Sequence, residues 1–145
     1  MDSKPFEANT LFYGDNLEVL RKHFPNECVD LIYLDPPFNS KADYNILFRE
    51  RSGKKSVAQA QAFSDFWTWD PNTEKTYMEI QKDSNLGDMI RFLHGYLGKN
   101  DMMAYLVMMA IRLQKLHEVL KSTGSIYLHC DPTSSHYLKI LMDGI

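Results

Sequence analysis

Four consecutive residues bring together the groups needed to hold an amine: Asp35, Pro36, Pro37 and Phe38. They follow Val29 to Leu34, a run that is apolar except for Asp30 and Tyr33. Each proline has a restricted φ and no backbone N–H. The loop therefore offers acceptors, the Asp35 carboxylate and the backbone carbonyls, with few competing donors. An exocyclic amine on a base is a donor group. Two placed acceptors can take both its hydrogens and aim the nitrogen lone pair at an electrophile. Phe38 adds a flat apolar face on which an extruded base can stack. A lone Asp-Pro-Pro would read as a turn with a structural acid and a core phenylalanine. At the end of an apolar strand, where open α/β sheets bind ligands, the chemical reading leads.

Other candidate groups are less specific. From Asn39 to Gln61, five basic residues (Lys41, Arg49, Arg51, Lys54 and Lys55) outnumber two acids, a local charge of +3. Such a stretch suits contact with phosphates, and it equally suits a solvated loop. Asp15 and Asp131 each stand where a helix should begin, so helix capping competes with any role in a site. For Asp131 the cap comes first; for Asp15 the two roles are compatible. His129, Cys130 and Asp131 with His136 match no common zinc spacing, and no metal is expected. Trp67 and Trp69 are expected to pack in the core, with contact to nucleic acid second. Met102, Met103, Met108 and Met109 are most simply core filler.

The elements that must position these groups follow from periodicity. Thr10 to Tyr13 reads as a short strand. Asp15-Asn16 then caps a helix whose inner face is Leu17, Leu20 and Phe24. Val29 to Leu34 reads as a strand covered on both faces, completing a βαβ-like start. Asn39 to Ser64 is polar and irregular. Thr73 to Lys82 and Leu86 to Leu97 are expected to be helices. The strongest helix runs from about Asp101 to Lys121, with Met102, Leu106, Met109, Leu113, Leu116 and Leu120 as its stripe. Ser125 to Leu128 is the next strand. Asp131-Pro132 should open a last helix as N-cap and N1, with Tyr137, Ile140 and Leu141 inward.

Composition bounds the class. The 145 residues are 44% hydrophobic and 24% charged, ordinary for a globular domain. No run approaches the ~20 apolar residues needed to cross a bilayer. No signal peptide is visible in Met1 to Asn9, and two cysteines are too few for a disulfide framework, so a cytoplasmic location is the default. The net charge of −3 argues against a binder that coats nucleic acid by charge alone.

Three segments carry a family resemblance: Leu11-Phe12-Tyr13-Gly14-Asp15-Asn16-Leu17, then Val29 through Phe38, then Gly124-Ser125-Ile126-Tyr127-Leu128-His129-Cys130-Asp131-Pro132. In this order they resemble the β-class, type III-like N6-adenine or N4-cytosine DNA methyltransferases, over essentially the whole chain. The resemblance implies a Rossmann-like α/β fold, a mostly parallel sheet flanked by helices. It implies S-adenosylmethionine as cofactor and double-stranded DNA as substrate. Asp35 and the Pro36 carbonyl would hold the amine of a flipped base, Phe38 would stack on it, and the methyl group would pass directly. Asp15 resembles the acid beside the cofactor's adenosine. Asp at the head of the loop favours adenine N6 over cytosine N4.

The family also carries a Phe-x-Gly-x-Gly-type cofactor loop and a target recognition region, both C-terminal to the catalytic loop. No Gly-x-Gly occurs in these 145 residues. The expectation is therefore an incomplete fold: residues 1–145 as the N-terminal, catalytic-loop part, with an irregular insertion at about 39–70. Downstream sequence, a second chain or a homodimer would complete the site. The alternative is an inactive fragment that binds DNA or a partner chain. A nucleotide hydrolase is disfavoured, because the glycine that a phosphate loop needs five positions before Gly53 is Phe48. A protein-modifying relative is disfavoured by Asp35, where Asn is common.

Overall fold

The structure is a computed structural model and describes residues 8–38, 43–46, 60–64 and 67–145. The chain is α/β. Helix α1 (Asn16–His23) leads to strand β1 (Val29–Leu34). Strands β2 (Asp43–Ile46) and β3 (Ala60–Ser64) follow. Helices α2 (Pro71–Ile80), α3 (Ser84–Leu97) and α4 (Asp101–Val119) come next. Strand β4 (Leu120–Leu128) and helix α5 (Ser135–Gly144) close the order.

Helix α4 is the hub. Tyr105, Leu106, Val107, Met109, Ala110, Ile111 and Leu113 are all buried, so the helix is enclosed on most of its circumference. The expected stripe is one side of this surface. Its end members differ: Met102 is only partly buried, and Leu120 belongs to β4. The second buried side, with Tyr105, Val107 and Ile111, has a simple cause. Helices α1, α2, α3 and α5 and strand β4 all pack against α4. The main apolar cluster joins Tyr77 and Ile80 of α2, Leu86, Ile90 and Leu93 of α3, and Leu138 and Leu141 of α5 to α4. A smaller cluster of Leu20, Ile32, Leu116 and Val119 fastens α1 and β1 to the end of α4.

Asn100 starts this hub. Its side-chain oxygen accepts the Met103 N–H at 2.8 Å, satisfying one of the donors a helix start leaves unpaired. Asn100→Ala should cost about 1 kcal/mol, the usual worth of such a cap. A urea-unfolding midpoint with unchanged slope checks this.

Strands β1 and β4 pair in parallel, with Leu31 opposite Ser125, Ile32 opposite Ile126, Tyr33 opposite Tyr127 and Leu34 opposite Leu128. The register shifts between Val29 and Leu31, and Gly124 sits within that irregularity. A Cβ on Gly124 would come within 2.6 Å of Leu120 Cδ1, so a larger residue there would have to push the Leu120 side chain aside.

Three expectations need correction. Strand β1 is not covered on both faces. Ile32 is buried, but Leu31 (60% exposed), Tyr33 (68%) and Tyr127 (57%) line a face that no described element covers. Thr10 to Tyr13 is not a strand: it forms no ladder among the described residues, Phe12 packs its ring against His23 and Phe24, and Leu11 and Tyr13 lie almost fully in solvent. The irregular stretch at 39–70 contains an antiparallel pair, with Tyr44 opposite Phe63 and Ile46 opposite Ala60. The alternation in Asp43-Tyr44-Asn45-Ile46 is a strand pattern, and antiparallel pairing supplies its hydrogen bonds.

Candidate functional site

The parallel pair ends two segments at one edge. After β1 comes Asp35-Pro36-Pro37-Phe38; after β4 comes His129-Cys130-Asp131. The His129 N–H donates to the Leu34 carbonyl at 2.8 Å, extending the ladder one step past both strands. Two loops that lie far apart in sequence are thereby held side by side at the carboxyl ends of the strands, where open α/β sheets bind ligands.

A cleft of about 710 Å³ opens there. Asp35, Pro36 and Pro37 line it, together with Gly14, Asp15, Leu34, Trp67 and Met108. Phe12, Tyr13, Met109 and Arg112 complete much of the wall. This volume is within the ordinary range for a small-molecule site, and the mixture is too: apolar walls with a few convergent polar groups. An adjoining cleft of about 590 Å³ shares Asp15, Trp67, Met108 and Arg112.

Asp15 is held from two sides. One oxygen accepts the Leu17 N–H at 2.8 Å and caps α1. The other pairs with Arg112 Nη2 at 2.5 Å. Arg112 also donates through Nε to Asn16 Oδ1 at 2.9 Å and through Nη1 to the Met108 carbonyl at 3.1 Å. A guanidinium fork can serve all three acceptors at once because its donors point in fixed directions. The loop before α1 is thus tied to α4, and Gly14 supplies the turn with φ at 140°. Arg112 reaches Asp15 across 97 residues, a contact that could not be seen from sequence.

Asp131 does not cap α5 directly. It accepts from the Thr133 hydroxyl, the Ser134 hydroxyl and the Ser134 N–H, closing a turn over 132–134 before the helix starts at Ser135. Ser134 holds the cap position instead. The cause is competition: a carboxylate satisfied by its own next residues need not reach the helix. Burial pushes the Asp131 carboxyl up, but these hydrogen bonds outweigh it and hold the group below the usual carboxylate range. A depressed folded value stabilises above the unfolded pKa of about 3.9 and is lost as pH falls through the folded value. In acid titrations of unfolding, Asp131→Asn should therefore shrink the loss of stability below about pH 4.

Asp131 and Phe38 do not line the cleft among the described residues. Phe38 instead stacks on His129, with ring centroids 5.4 Å apart and planes 25° from parallel. Trp67 and Trp69 both pack on the main core, as expected. Trp67 rests near Tyr105 while also walling the cleft. Trp69 donates to Glu74 and lies under Lys99. Met108, expected as plain filler, also faces the cleft. Burial first, then the Asp131 carboxylate, push the Cys130 thiol up, which keeps it a poor nucleophile. Among the described residues, no three His, Cys, Asp or Glu side chains gather as metal ligands, and no helix is long and apolar enough to cross a membrane. The candidate phosphate contacts Lys41, Arg49, Arg51, Lys54 and Lys55 lie outside the described residues.

Comparison with known proteins gives the family. The family model described as DNA methylase matches residues 29–145. The Mod subunit of the type III restriction-modification enzyme StyLTI from Salmonella typhimurium is 30% identical over 141 residues, covering 94% of this chain and 18% of that protein. The Mod subunit of EcoPI from Escherichia phage P1 is 28% identical over 140 residues, covering 94% of this chain and 19% of that protein. The chain thus spans less than a fifth of the length of these curated relatives. No solved structure matches it. With the match running from the start of β1, through the Asp35 loop, to the end of α5, the chain belongs to the DNA methylase family.

Proposed function

We propose that this chain carries the amine-holding half of a site that methylates an exocyclic amine of double-stranded DNA. Adenine N6 is preferred to cytosine N4, and the fold is the first part of a Rossmann-like methyltransferase domain acting in the cytoplasm. The observation that carries the proposal is the placement of Asp35, Pro36 and Pro37 on a cleft at the ends of two parallel strands.

Asp35 and the Pro36 carbonyl accept the two amine hydrogens and turn the nitrogen lone pair into the cleft. The Pro36 and Pro37 nitrogens have no hydrogens to compete for that lone pair. As the amine becomes positive, the Asp35 carboxylate stabilises the charge and stands ready to take the departing proton. Leu34, Trp67 and Met108 give the cleft walls that exclude water.

S-adenosylmethionine, when bound, supplies a methyl group on a positively charged sulfur. The residues present fit part of such a cofactor. The walls are apolar, Asp15 is anchored for contact with a ribose, and Trp67 has a buried indole N–H without a hydrogen-bond partner among the described residues. Asp131 supports the adjoining loop as a second candidate contact. Lys41, Arg49, Arg51, Lys54 and Lys55 would meet phosphates. A glycine loop from downstream sequence or from a second chain, including a second copy, would hold the methionine part.

Nucleoside mass spectrometry of DNA incubated with the protein and S-adenosylmethionine tests this. N6-methyladenine is the expected product. N4-methylcytosine would move the specificity to the other amine, and no methylated nucleoside would reduce the chain to a binding module.

A further inference from the structure

Phe38 has an unusual support. Among the described residues it joins neither hydrophobic cluster, although it follows a strand that joins both. Its ring rests on the imidazole of His129. His129 in turn is held by its backbone N–H on Leu34, at the step where the two strands end. The imidazole is thus a flat platform on a backbone fixed by the sheet, beneath a ring that joins neither cluster among the described residues.

The spacing decides where a planar ligand could go. Inserting a base between two rings needs two van der Waals gaps, roughly 7 Å in all. The rings are 5.4 Å apart, so no base fits between them. A base that stacks on Phe38 must use the face turned away from His129.

We propose that His129 is a positioning residue for base capture: it backs Phe38, so that the loop presents one aromatic face to an extruded base. This rests on the methyl-transfer reading of the Asp35 loop. The imidazole needs neither to touch the base nor to exchange a proton with it. What matters is a flat ring at this place, so an aromatic hydrocarbon should replace it.

The test compares wild type, His129→Ala and His129→Phe in steady-state methylation of unmethylated genomic DNA. His129→Ala should lower kcat/KM for DNA about fivefold, the scale of one aromatic pair. KM for S-adenosylmethionine should not move, and His129→Phe should restore the DNA term. Equal loss in both variants, a matched rise in the cofactor KM, or no change in His129→Ala would each overturn the proposal. Wild type without any methyl transfer would sink the methylation reading itself, and the role of His129 with it. A second measurement needs no turnover: the His129 ring protons should be shifted upfield by Phe38 in NMR spectra and should return toward ordinary values in Phe38→Leu. Ring protons that do not move on that substitution would contradict the stack.

Discussion

Asp35→Ala is expected to cut methyl transfer to DNA by about 10²- to 10³-fold, the usual loss when one preorganised partner of a developing charge is removed. The effect should fall on kcat. The amine gains positive charge as it reacts, so the carboxylate is worth more in the transition state than in the bound complex. DNA affinity should change little, because phosphate contacts supply most of it. Asp35→Asn sharpens the point. It keeps the shape but can turn an NH₂ group toward an NH₂ group, so it should recover little of the rate. Single-turnover methylation with saturating DNA separates these effects from binding. The prediction stands on geometry: Asp35 lies on the cleft wall beside the two prolines that remove competing donors.

The second large effect is structural. Leu106→Ala should destabilise the protein by about 3–4 kcal/mol, within the range for fully buried leucines. Leu106 is completely buried at the centre of the main cluster on α4. That helix also holds Arg112, which anchors Asp15, and Met108, which walls the cleft. A loss of this size is a large share of the total stability of an ordinary domain. Met102→Ala on the same helix is the control. Its side chain is only partly buried, so the cost should stay under about 1 kcal/mol. Chemical denaturation with matched slopes measures both. Equal losses would contradict the placement of the core on the Leu106 side.

What could be seen in the sequence was local. Helix α1 was legible because Asp15, Leu17 and Leu20 are close in sequence, and the capping bond to Leu17 is made as expected. Strand β1 and the Asp35 loop were legible because an apolar run ending in Asp-Pro-Pro has few other uses. Helix α4 was legible from its spacing, although the stripe understated its burial. Four helices and β4 pack against it, and the sequence of α4 alone does not say how many neighbours it will have.

What was not legible depended on distant pairing. Thr10 to Tyr13 has strand-like residues, but a strand needs a neighbour's ladder, and none forms there among the described residues. Strands β2 and β3 were hidden for the opposite reason: polar composition masked a short alternating pattern that pairing stabilises. The pairing of Arg112 with Asp15 spans 97 residues and exists only once the fold brings α4 beside the loop before α1. In the sequence, His129 figures only in a metal set whose spacing does not fit and in the third resemblance segment. Only the parallel register, which sets His129 against Leu34, brings its ring beneath Phe38.

The central claim is that a base is received at the Asp35–Phe38 loop. Photo-crosslinking tests it most directly, using duplex DNA with 5-iodouracil in place of the target base and peptide mapping of the adduct. The account predicts a crosslink at Phe38 that disappears in Phe38→Leu. A crosslink mapped only to residues outside 35–38, and unchanged by that substitution, would contradict it.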